Sequence, residues 1–209
     1  MVVMVGPLAI PSVCGSIGAY ESVPDAKLIG MRVNLQPTEY LELGASRAMQ
    51  WGGDGRPQSG KSLWNAFIGK GDNTYTADEK RNEPGNQLAG FDAKLKLQPL
   101  TGWPVSVYGQ MIGEDESGGL PTKNTYLLGV EGSRALGQNA LNWYVEGADT
   151  TTKLGSMNGV TYNHSIYQNG YYQDGAPLGH ALGGDAQTVS TKVMVSTPDQ
   201  QRFSGKVTY

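Results

Sequence analysis

Gly55 to Ser62 reads G-R-P-Q-S-G-K-S, which fits the spelling G-x-x-x-x-G-K-[ST] of a loop that cradles nucleotide phosphates in its backbone N–H groups. That chemistry needs a rigid turn between a buried parallel strand and a helix. The stretch before it, Leu41-Glu42-Leu43-Gly44-Ala45-Ser46-Arg47, alternates instead of running apolar, and no later apolar run ends in an Asp placed to hold Mg²⁺. Only the segment after it agrees, because Ser59 or Ser62 suits the cap of a short helix running through Ile68 and ended by Gly69. A second candidate is Gly113-Glu114-Asp115-Glu116-Ser117-Gly118-Gly119, whose carboxylates suit Ca²⁺ or sugar hydroxyls but lack the spacing of a helix–loop–helix calcium site. A third is residues 150–186, which hold both histidines, His164 and His180, with Asp174 and Asp185. No G-x-S-x-G or H-E-x-x-H accompanies them, so neither a hydrolytic triad nor a zinc site is expected. The same stretch carries Tyr162, Asn163, Tyr167, Asn169, Tyr171 and Tyr172. Aromatic faces that stack on pyranose rings, beside amides and carboxylates that pair with hydroxyls, are carbohydrate chemistry; an aromatic girdle at a membrane interface, or the self-packing of a long loop, reads the same.

Bulk properties narrow the classes. A net charge of −3 over 209 residues gives no basic footprint for nucleic acid. The single cysteine, Cys14, forms no internal disulfide and no cysteine metal site, and the residues before it do not suit a lipid-anchor site. No run of about 18 apolar residues offers a membrane helix. Met1 to Ile10 is apolar but has no Lys or Arg ahead of it, so it makes a poor secretory signal and the chain is expected to lack its true N-terminus. Thirty glycines, eleven tyrosines and 17% charged residues hint at β architecture.

Period-two alternation dominates the elements that must position these residues. Ala89, Phe91, Ala93, Leu95 and Leu97 share one face, and Gly90, Asp92, Lys94 and Lys96 share the other. The pattern predicts about eight strands, at 28–35, 39–49, 86–97, 104–112, 124–132, 141–149, 187–196 and 202–209. Several approach the ~9–11 residues that a tilted strand needs to cross a bilayer. Short turns at Gln36–Thr38, Pro99–Trp103, Gly132–Ala140 and Thr197–Gln201 alternate with long connections at 50–85, 113–123 and 150–186. Turns at one end and loops at the other are the pattern of an antiparallel up-and-down transmembrane β-barrel, with the helix of the first loop as a plug or lid on it.

Several long segments, taken in order, resemble the capsule assembly protein Wzi family: Leu41 to Ser59, Pro84 to Pro99, Val105 to Ser133 and Gly170 to Gln187. The resemblance covers roughly Val23 to Tyr209 and leaves residues 1–22 unassigned. It implies a bacterial outer-membrane barrel, non-enzymatic and without cofactor, that acts as a lectin for capsular polysaccharide. It also implies a larger barrel, of which residues 23–209 supply about eight strands as a fragment. Such a piece leaves unpaired edges that lipid cannot satisfy and is not expected to insert alone. Phe91, Leu95, Val107, Leu128 and Trp143 would meet lipid; Asp92, Lys94, Tyr108, Asn142, Glu146 and Lys192 would face the lumen. By loop position and side-chain chemistry the carbohydrate contacts are Trp51, Asp54 and Arg56 in the first loop, Glu114, Asp115, Glu116 and Lys123 in the second, and Tyr167, Tyr171, Tyr172, Asp174, His180 and Asp185 in the third. The expected partners are capsular polysaccharide and outer-membrane lipid, with no nucleic acid and no nucleotide. A porin-like channel without specific glycan is the alternative, and a nucleotide-binding protein the remote one.

Overall fold

The alternating stretches form one antiparallel sheet. The structure, a computed structural model, describes residues 2–7, 23–71, 82–117, 120–152, 159–173 and 175–209, with the backbone alone at 2–7, 115–117 and 120–121. Among these residues nine strands pair in chain order: β1 (Val2–Pro7), β2 (Lys27–Thr38), β3 (Leu41–Trp51), β4 (Gly85–Lys96), β5 (Val105–Ser117), β6 (Leu120–Leu136), β7 (Asn139–Asp149), β10 (Gln187–Ser196) and β11 (Arg202–Thr208). A separate two-stranded ladder, β8 (Tyr172–Gln173) and β9 (Ala176–Pro177), lies inside the third loop. Each strand pairs antiparallel with its neighbour in an up-and-down meander whose edges are β1 and β11. Within the nine-stranded sheet the one strand beyond the eight expected is β1, at residues to which the sequence assigned no element.

Register carries the alternation across the sheet. Phe91 lies opposite Ala45 and Met111, Leu95 opposite Leu41 and Val107, and Val130 opposite Val107 and Val145. Nothing described covers most of this apolar face: Phe91 is 52% exposed and Leu128 65%. The intervening positions hold charged and polar groups that satisfy one another. Arg32 pairs with Asp92 at 2.7 Å, Lys94 with Glu131 and Lys96 with Glu42, and the Tyr108 hydroxyl donates to Glu146 Oε2 at 2.9 Å. The Tyr108 ring passes over Gly129, where a Cβ would run into it. The polar face is concave, with a cavity of about 750 Å³ lined by Arg32, Glu42, Asp92, Lys94, Tyr108 and Glu131.

Helix α1 (Gly60–Ile68) starts where the sequence placed it. The Ser59 side chain accepts the Ser62 amide at 3.1 Å, and Gly69, at φ 70°, ends it in the left-handed region. The phosphate-loop spelling is therefore this cap and first turn. The strand before it is antiparallel to both neighbours, so the parallel-strand frame that a phosphate loop requires is not built here. The helix does not plug the polar face. Ala66 and Leu63 pack on Ile29, Met49, Met31 and Trp51, on the apolar side of β2 and β3.

The turn end holds Glu39–Tyr40, a short helix α2 (Gln98–Thr101), Gly137–Gln138 and residues 197–201. The loop end differs from expectation at one place. Residues 113–123 are not a long open loop, because β5 and β6 continue through them as a paired hairpin, Asp115 opposite Thr122 and Ser117 opposite Leu120.

Candidate functional site

The third loop folds across the concave polar face at the loop end of the sheet. Its floor is a set of buried amides from even-numbered strand positions. Asn86 Nδ2 donates to Gln50 Oε1 at 2.8 Å, and Gln50 Nε2 donates to the Gly170 carbonyl at 2.6 Å. The Tyr171 hydroxyl lies 2.8 Å from the Asn86 carbonyl oxygen and 3.2 Å from that of Ala48. Tyr171 and Tyr162 pack with Leu88 against Leu28, Ala48 and Ile112. The Tyr162 amide donates to Glu114 Oε1 at 2.7 Å, and the Tyr162 hydroxyl accepts the His180 amide at 2.9 Å. Burial raises the Tyr162 phenol above its ordinary value, a shift that the His180 hydrogen bond partly offsets.

A second joint ties this loop to the first. Arg56 Nη2 donates to the Glu83 carbonyl at 2.6 Å, and its guanidinium stands 5.8 Å from the centre of the Tyr167 ring. The Tyr167 hydroxyl donates to the Gly52 carbonyl at 3.2 Å. His164 Nε2 meets Glu83 Oε1 at 3.0 Å, while its Nδ1 accepts the amides of Ile166 and Tyr167 at 3.2 and 3.3 Å. Burial raises the Tyr167 phenol as well, against the pull of Arg56.

These joints sort the carbohydrate candidates. Tyr167 and Tyr171, at 3% and 2% exposure, are interior, and they brace the loop instead of offering a ring to solvent. Glu114 is buried with its carboxylate on the Tyr162 amide. Arg56 is half-buried between Glu83 and Tyr167. Trp51 gives its indole N–H to Ser62 Oγ at 3.1 Å and lies under Lys27, 5.4 Å from its Nζ, so it belongs to the seat of α1. Asp54 and Lys123 are exposed, and Tyr172, His180 and Asp185 are half-exposed. Asp185 accepts the Gly159 amide at 2.6 Å. Asp174 and the side chains of Asp115 and Glu116 lie outside the described residues.

Between the loop and the strands is a cavity of about 530 Å³, bounded by Gln110, Thr125, Glu146, Tyr162, His180, Ser190 and Lys206. Its size is that of a small-ligand site. Of its lining residues only His180 was among the carbohydrate candidates: Tyr162 comes from the third loop, and Gln110, Thr125, Glu146, Ser190 and Lys206 sit in strands on the face that alternation marks as lumen filling. Loop position could not find them; the register of Gln110, Glu146 and Lys206 on one face could.

A meander of strands this long, apolar and bare on one side and ion-paired on the other, is the wall of a transmembrane β-barrel. The sequence model described as Capsule assembly protein Wzi matches residues 1–207, and the chain belongs to that family. The match therefore includes the N-terminal residues that the sequence reading left aside. A Klebsiella pneumoniae protein known as an uncharacterized 55.8 kDa protein in the cps region is 53% identical over 205 residues, 98% of this chain and 40% of its own length. A solved structure of Escherichia coli Wzi, described as an outer membrane protein involved in group 1 capsule assembly and a carbohydrate-binding β-barrel, is 52% identical with a TM-score of 0.75. That alignment covers 90% of this chain and 38% of the Escherichia coli chain. The chain thus spans about two fifths of the length of the relatives it matches, and the barrel to which it belongs lies in the outer membrane.

Proposed function

We propose that the whole protein is a non-enzymatic lectin that binds capsular polysaccharide at the cell surface and helps to hold the capsule there. The carrying observation is the 52% identity to a barrel described as carbohydrate-binding. The contacts would come from the candidates left open to solvent, Asp54 in the first loop, Lys123 on the hairpin, and Tyr172, His180 and Asp185 in the third loop, together with Asp115, Glu116 and Asp174. Arg56, Tyr167, Tyr171, Trp51 and Glu114 would act indirectly, by holding those surfaces in place. Tyr172 supplies a half-exposed ring, set edge-on to Tyr162 at 6.3 Å between ring centres. Lys123 would pair with acidic sugars by charge-assisted hydrogen bonds. Nucleotide or nucleic acid has no place in this reading, and the third loop, folded over the polar face, weighs against an open channel. The test is capsule retention by cells, and polysaccharide pull-down by the full-length protein, for Tyr172→Ala with Lys123→Ala beside wild type. Lost retention with normal barrel assembly supports the lectin. Unchanged retention together with large conductance in planar bilayers favours the porin-like alternative.

A further inference from the structure

Helix α1 is the one described element that rides on the apolar side of the wall. Ser62 and Ala66, one turn apart, face inward and are buried, with Leu63 beside them. Lys61, Trp64 and Ile68 follow at spacings of three and four residues and therefore share the opposite side. Phe67 joins them, its ring 5.5 Å from that of Trp64. Trp64 is 59% exposed, and Phe67 and Ile68 are also open to the surroundings. Between Ser59 and Gly71 the only charged residues are Lys61 and Lys70, both exposed and one at each end of the aromatic group.

Two features decide what covers this face. The first is continuity: α1 lies on the side of the sheet that carries Phe91 and Leu43, the side that meets membrane, and its outer surface is one layer farther from the barrel axis. The second is charge: an apolar stripe flanked by lysines with no carboxylate among them fits a surface that is greasy inside and phosphate-bearing at its rim. We propose that α1 is an interfacial docking element. Trp64, Phe67 and Ile68 enter the boundary between headgroups and acyl chains of the outer leaflet, and Lys61 and Lys70 pair with lipid phosphates.

The test uses the full-length protein in liposomes of phosphatidylcholine, with and without one third phosphatidylglycerol. The fluorescence of Trp64 is taken as the difference between wild type and Trp64→Phe. The expected result is that lipids brominated high on the acyl chain quench this component at least about twofold more than lipids brominated near the chain end, as for a helix seated ~5–10 Å into the boundary. Phosphatidylglycerol should shift its emission to shorter wavelength, and Lys61→Gln with Lys70→Gln should abolish that shift. Quenching by aqueous iodide but not by brominated lipid would overturn the proposal. So would insensitivity to both, the sign of a face covered by protein, or protection from iodide only when polysaccharide is added. A phosphatidylglycerol shift that survives loss of both lysines would overturn their assignment.

Discussion

Arg47 Nη2 donates to the Ala66 carbonyl at 3.0 Å, so a cation on the membrane-facing side of β3 ends in the last turn of a helix. That carbonyl is one of the four that an α-helix leaves without an internal partner, and the C-terminal end of the helix dipole favours a positive charge there. Gln87, also on the apolar face, accepts a second hydrogen bond from the same guanidinium. Arg47 breaks the apolar alternation of its strand, and α1 is what makes the break tolerable. Replacing it by methionine keeps the stem and removes the charge. Loss of a hydrogen bond from a charged group costs about 1.5–3 kcal/mol. Docking of α1 should weaken by roughly 10- to 100-fold at about 1.4 kcal/mol per decade. Limited proteolysis of the first loop in full-length Arg47→Met should accelerate to match, with the barrel itself intact.

Leu127 and Leu128 are consecutive and face opposite ways. Leu127 borders the cavities on the concave side, whereas Leu128 projects from the apolar face. A lysine at Leu128 would sit in hydrocarbon, at a cost of about 2–4 kcal/mol near the midplane. A lysine at Leu127 would join a lumen that already holds Lys94, Glu131 and Glu146, at little cost. Urea-dependent folding of the full-length barrel into liposomes should show the Leu128→Lys penalty and nearly wild-type behaviour for Leu127→Lys. Equal effects would mean that the faces are misassigned.

How far these features were legible in the sequence depends on whether a local rule governed them. The face of every long strand follows from period two, so Phe91, Lys94, Trp143 and Glu146 were placed correctly. The bounds of α1 were visible in Ser59 and Gly69, because caps are local chemistry. Its side of the wall was not, because the partner that fixes it, Arg47, looks like any exposed arginine until Ala66 is brought beside it. The third loop was ambiguous for the same reason. Tyr167 and Tyr171 have the composition of a sugar-stacking surface, yet their hydroxyls are used by Gly52 and Asn86, which lie 115 and 85 residues away in the chain. Only three-dimensional contact separates a tyrosine that greets a ligand from one that supports the surface.

Alkaline pH should release the third loop from the lumen. Tyr162 and Tyr167 are buried neutral, and both have folded-state values above the ordinary 10.0. An undocked loop would ionise them near that ordinary value. The stability they contribute is therefore whole below about pH 10 and is lost as pH rises from there through the higher folded-state values. In a spectrophotometric titration of phenolate, Tyr162→Phe and Tyr167→Phe should each remove one late-titrating group, and proteolysis between residues 150 and 186 should begin in the same range.

Gly170 offers the sharpest test of how the loop is seated. It adopts φ 59°, and a Cβ there would strike the Tyr162 carbonyl oxygen, beside the amide pair that Gln50 makes with the Gly170 carbonyl. Gly159 has a similar φ of 67° but open space around it. Gly159→Ala should cost only the backbone strain, on the order of 1 kcal/mol. Gly170→Ala adds a collision with main chain that neither partner can yield without breaking the Tyr171–Tyr162 hydrogen bond, an amide-to-carbonyl contact of 2.9 Å. Hydrogen exchange at the Tyr171 amide, followed in the full-length protein, should rise at least about tenfold more for Gly170→Ala than for Gly159→Ala, since each 1.4 kcal/mol of lost seating multiplies opening tenfold. Equal exchange in the two variants would show that the loop is held by its tyrosines alone and not by this close approach of backbone to backbone.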